Sequence, residues 1–236
     1  MRHKNSLLVA LVGLLLVWPI AASASAQTQE KPTVKIPEPG VPEIMTMEGR
    51  FVRAAYNNEG YVILGYRIAN DSVGEEWMLL EIGTTVMDGV PNYKLIRDAI
   101  SLTTPDGTKV PLPTQEEYGK ASLRALEKRA SFVHDSINYF PPMAHDACRI
   151  GFFSDLDSRG LPWDQVELSS TRACMGRMFF KVPGGIQYGQ HWLDVKFEKS
   201  LVRVPFRILT KEEYKLLDKN YKDISKQVED AFRKKN

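Results

Sequence analysis

At 236 residues with 43% apolar side chains, the chain can bury one large core or two small ones. It has 31 Lys and Arg against 29 Asp and Glu, a formal net charge of +2. So small an excess gives no electrostatic reason to bind nucleic acid or an anionic membrane, and neither partner is expected.

Residues 1–26 carry the three-part pattern of a secretory signal peptide. Arg2, His3 and Lys4 form a basic head, residues 7–20 an apolar run, and Ala-Ala-Ser-Ala-Ser-Ala puts small residues at −3 and −1 of a cut after Ala26. The apolar run is shorter than the roughly 20 residues a membrane span needs. No Cys stands at the cut, and no later segment reads as transmembrane. The expectation is cleavage and a periplasmic or extracellular mature protein. Losing Arg2 and Lys4 takes Lys plus Arg from 31 to 29, equal to the 29 acids, so the mature chain is formally neutral.

Residues 27–46 hold Pro32, Pro37, Pro39 and Pro42. Proline fixes φ and pushes its predecessor toward extended backbone, so a linker is expected here, with a β domain over 47–209. Residues 51–56 and 61–69 read as a hairpin around Asn57, Asn58 and Gly60, with Val62, Leu64, Tyr66 and Ile68 on one face. Strands are expected over 76–87, 93–104 and 109–112, separated by Gly, Pro, Asn and Asp. Thr114 and Glu117 have capping-box spacing, which predicts one short helix over 114–130.

Strands resume over 131–140, 148–153, 165–169, 177–182, 192–197 and 201–209. In the last, Val202, Val204, Phe206 and Ile208 alternate with Arg203, Pro205 and Arg207. Proline lacks a ladder donor, so this strand is expected at a sheet edge. Thr210 and Glu213 form a second capping box. Behind it Tyr214, Leu217, Tyr221, Ile224, Val228 and Ala231 recur at spacings of three and four, which predicts an amphipathic helix over 210–236. That helix docks on its own domain or, through Leu217, Tyr221, Ile224 and Val228, on another protein. An edge strand is the other expected protein-binding element.

The two cysteines, Cys148 and Cys174, read as one structural disulfide in an exported chain. Two His-Asp pairs, His134-Asp135 and His145-Asp146, flank Pro141-Pro142 and would offer imidazole and carboxylate metal ligands if the chain folds back there. The plainer reading puts His134 on the polar face of a strand. Residues 155–160 open like a calcium loop, but Arg159 stands where an oxygen ligand is needed and Val166 where the bidentate Glu belongs, so a polar turn is expected. No nucleophile elbow, P-loop or dinucleotide fingerprint occurs, so no catalytic residue and no cofactor are assigned. The pairs Phe152-Phe153 and Phe179-Phe180 put a ring on each side of a sheet, so a helix must cover one side or a recognition surface is exposed.

Eight to ten short strands with regular turns suggest a sandwich. Gly176-Arg177-Met178-Phe179-Phe180-Lys181-Val182-Pro183, followed by Trp192-Leu193-Asp194-Val195-Lys196-Phe197 and the last strand, resembles the latter half of secreted bacterial immunoglobulin-like domains of unknown function. The resemblance implies an immunoglobulin-like antiparallel β-sandwich and an exported location, with no catalytic residue to carry over. The inserted helix and the C-terminal helix are additions to that plan. The expected function is a non-catalytic binding or assembly module; the alternatives are a periplasmic hydrolase or metal-binding protein, and a pilus-chaperone-like protein.

Overall fold

The structure, a computed structural model, describes residues 44–154 and 161–233, and of residues 44, 45, 47 and 224–233 the backbone alone. The signal-type segment, most of the proline-rich lead-in and the calcium-loop-like turn lie outside the described residues. The chain runs β1 (Ile44–Gly49), β2 (Val52–Tyr56), β3 (Gly60–Gly65), the helical turn α1 (Arg67–Asn70), β4 (Trp77–Val86) and β5 (Tyr93–Ile96). A 3-10 turn, Arg97–Ala99, leads to β6 (Ile100–Thr103), β7 (Lys109–Pro111), α2 (Gln115–Lys120) and α3 (Arg124–Phe132). Then come β8 (Asp146–Arg149), β9 (Gln165–Leu168), β10 (Arg172–Lys181), β11 (Gly189–Lys196), β12 (Leu201–Ile208) and α4 (Lys211–Arg233).

The fold is mainly β and sandwich-like, with helical additions as expected. One sheet has the order β1-β2-β3-β4-β10-β8, the other β12-β11-β6-β7, and β5 pairs with β9 in a ribbon. All pairings are antiparallel except β8 on β10. The inner faces meet in one core, where Val62, Leu64, Met78, Leu80, Ile82, Met178 and Phe180 oppose Ile100, Leu102, Leu193, Val195, Val202, Val204 and Phe206. Alternation along each strand puts these side chains on one face.

The outer face of the six-stranded sheet is also covered. Tyr118 of α2 packs with Phe153 and Phe179 at centroid distances of 4.8 and 5.1 Å. Further along, Ile137 and Phe140 close over Val52, Ala54 and Ile63. All four rings of the two Phe pairs are buried, so these pairs pack under cover and do not form an exposed recognition surface.

Several predicted elements change form. The strand expected over 61–69 stops at Gly65, because the Asp135 carboxylate accepts the Arg67 N–H (3.0 Å) and Arg67 Nε (3.0 Å) and holds a helical turn there. The strand expected over 93–104 breaks at Arg97. Its guanidinium donates to the carbonyls of Phe152 and Pro113 and lies 4.7 Å from the Phe153 centroid, so the backbone turns and crosses from the ribbon to the second sheet. The single helix over 114–130 is two, since Ala121 is extended (ψ 140°) after Gly119, a poor helix former.

Residues 133–140 make no ladder. They form an extended strap: the Asp135 N–H donates to Glu81 (3.0 Å), and the Tyr139 carbonyl accepts from Tyr61 Oη (3.0 Å). The strap fits because Gly65 and Gly83 leave room; a Cβ on Gly83 would lie 2.7 Å from the Phe140 ring. At the start of the domain, β1 begins at Ile44, inside the expected linker.

Candidate functional site

The predicted residues separate. Cys148 and Cys174 are disulfide-bonded and sit opposite each other on the parallel pair β8 and β10. Asp135 is 7% exposed and committed to Arg67. His134 lies exposed on the strap rather than on a strand face. His145 is exposed, with Nδ1 2.6 Å from the Met143 carbonyl and Nε2 3.7 Å from Asp146. Among the described residues no three His, Cys, Asp or Glu side chains stand together to hold a metal.

The C-terminal helix docks by its first turns. Tyr214 stacks on Phe51 at 5.9 Å, Arg50 pairs with Asp218 at 2.5 Å, and the same guanidinium lies 4.8 Å from the Tyr221 centroid. Both capping boxes form as predicted, Thr114 with Glu117 and Thr210 with Glu213. Leu217 is half-buried. The side chains of Ile224 and Val228 lie outside the described residues.

With the six-stranded sheet covered, the solvent-facing side of β12-β11-β6-β7 stands out. Register places Pro205, Trp192, Thr103 and Lys109 in one outward row and Arg203, Asp194, Ser101 and Pro111 in the next. A cleft of about 530 Å³ lies on this face, with Ser101 and Asp194 in it and Asp98, Lys109, Lys196, Glu198 and Lys199 around it. Asp194 is 2% exposed. Its carboxylate accepts Arg203 Nε at 2.7 Å and Nη2 at 3.0 Å, a bidentate pair that offsets the desolvation of the buried charge. The same hydrogen bond raises the Arg203 guanidinium further above its usual range.

The rim is held from the other sheet. The buried Asn57 side chain accepts the Glu59 and Gly60 N–H groups at 2.8 and 2.9 Å and donates from Nδ2 to Ser200 Oγ at 2.9 Å. The Glu59 carboxylate accepts the Lys199 N–H at 2.9 and 3.2 Å. Beneath, the Phe197 ring lies against Gly60, where a Cβ would come within 2.2 Å of it. Tyr93 Oη donates to the Lys196 carbonyl at 3.3 Å. Long-range contacts therefore set the 198–200 turn before any ligand arrives, the condition for a site that loses little entropy on binding.

A second concavity, about 380 Å³, lies between α3 and the start of β4 and is lined by Trp77, Leu123 and Leu126, with Arg129 beside it. Arg129 is bidentate to Glu75 at 2.8 and 2.7 Å. No family model, curated protein or solved structure matches the chain. Sequence reasoning missed the cleft. The outward alternation of Trp192, Asp194 and Lys196 was visible, but nothing local showed that Lys109 and the 198–200 turn would border it.

Proposed function

We propose that the chain is an exported, non-catalytic binding module, akin to the secreted immunoglobulin-like domains it resembles, and that its ligand lies in the cleft on the four-stranded sheet. The observation that carries the reading is the pre-set rim. Asn57 and Glu59, both buried, spend their side-chain hydrogen bonds on their own turn and on the 198–200 turn of the opposite sheet. A polar cleft whose walls are fixed by buried polar groups supports recognition more than a solvated sheet face does. The signal-type N-terminus supports export, and the disulfide between Cys148 and Cys174 suits an oxidising compartment.

Lysine footprinting tests the reading. The protein is reductively methylated with and without the exported fraction of its host, and each lysine is followed by mass spectrometry. Lys109, Lys196 and Lys199 are expected to react more slowly in the presence of that fraction, while the exposed Lys128 and Lys215 keep their rates. Unchanged rates at all five lysines would sink the proposal.

A further inference from the structure

We infer that the ligand of the cleft is an acidic oligosaccharide, a chain of sugar rings bearing carboxylate or sulfate groups; this rests on the reading of the cleft as the binding site. Charge comes first. Lys109, Lys196 and Lys199 border the cleft, and among the described residues none of the three makes an ion pair. The buried Asp194 does not serve them, because Arg203 already holds both its oxygens. Three ammonium groups on one concave surface thus have donors free for an anion, and charge-assisted hydrogen bonds are the stronger kind.

The remaining lining limits which anion fits. Asp98 and Glu198 stand among the lysines. They repel a continuous run of phosphates, as in a nucleic acid, but they accept hydrogen bonds from ligand hydroxyls. Ser101 adds a hydroxyl at the floor. Mixed ammonium, carboxylate and hydroxyl groups match a ligand that alternates anionic groups with hydroxyls. A neutral sugar would leave the lysines without partners.

Shape points the same way. The cleft opens onto a sheet face, which suits a chain passing across it more than a small molecule enclosed by it. Trp192, the next outward residue after Asp194 on β11, is half-buried beside Pro205 and Thr103. An indole one row from Asp194 suits the C–H face of a sugar ring.

Calorimetric titration of the mature protein decides the matter. The probes are an oligogalacturonate, a sulfated oligosaccharide, a neutral cello-oligosaccharide of the same length and a single-stranded oligodeoxynucleotide. At least one acidic oligosaccharide is expected to bind, more weakly as sodium chloride is raised, and the neutral sugar and oligonucleotide not to bind. Lys196→Ala with Lys199→Ala should weaken binding by about tenfold or more, arginine at both positions should restore most of it, and Lys128→Ala should leave it unchanged. The two acidic arms tell carboxylate from sulfate recognition. Equal binding of the neutral sugar or tighter binding of the oligonucleotide overturns the ligand class. So does silence from both acidic probes. If the lysine footprint persists in any of those cases, the cleft remains a binding site and only its ligand is wrong. Binding unaffected by the double alanine variant overturns the location.

Discussion

His191 is a buried side chain that resists protonation. It is fully buried on β11, its ring stacks on Phe206 at 5.3 Å, and Nδ1 lies 3.1 Å from the Gly189 carbonyl. Among the described residues Nε2 meets no hydrogen-bond partner. Burial pushes its pKa down; the Gly189 carbonyl and the Asp106 charge oppose this without cancelling it. The unfolded chain, with an ordinary value of about 6.5, therefore binds the proton more readily. Stability is whole above that value and falls as pH drops through it toward the folded-state value, by up to about 1.4 kcal/mol per pH unit across the window. Urea denaturation from pH 8 to pH 5 should show this slope, and His191→Phe should flatten it whatever the variant does to absolute stability. An equal slope in both proteins would assign the acid sensitivity elsewhere. At this scale the sequence was a poor guide: His134 and His145, singled out beside acids, are exposed, while His191 lies in the core.

Among the elements, β8 is weakly held by its backbone. It is short, parallel and at a sheet edge, and three of its four residues are exposed. Parallel pairing is the less stable kind. The disulfide compensates by joining β8 to the buried Cys174. Replacing both cysteines by serine should lower stability by about 3 kcal/mol in the chain-entropy model. Faster amide exchange should then concentrate in β8 and the 133–145 strap; a uniform increase would mean that β8 holds without the bond. Asn70 shows how an element changes the meaning of a motif. Asn70-Asp71-Ser72 has the form of a glycosylation sequon, of the kind that arises by chance; Asn70 is buried and its Oδ1 accepts the Leu209 N–H at 2.8 Å, tying α1 to the end of β12. The strap likewise reads as a strand because Val133, Ile137 and Tyr139 alternate. It binds the sheet through side chains, and that preference does not show in periodicity.

For the whole molecule, the cleft depends on the two sheets staying in register at one end. Asn57→Ala removes the acceptor for two buried N–H groups and the tie to Ser200, and should cost about 1–3 kcal/mol. The Lys199 amide should exchange faster, and ligand binding in the cleft should weaken even though residue 57 is not part of its lining. Loss of stability with unchanged exchange at Lys199 would uncouple the rim from the opposite sheet. The sandwich, the edge position of β12, both capped helices and the pairing of the two cysteines were legible in the chain alone. Each follows from alternation, capping chemistry, a missing N–H or arithmetic, all local or nearly so. Which sheet face is covered by helices and strap, which histidine is buried, and how Lys109 comes to share a cleft with Lys196 and Lys199 were settled by long-range contacts. Those outcomes depend on packing between residues as far apart as Asn57 and Ser200, and the energy of such contacts leaves no periodic trace in the chain.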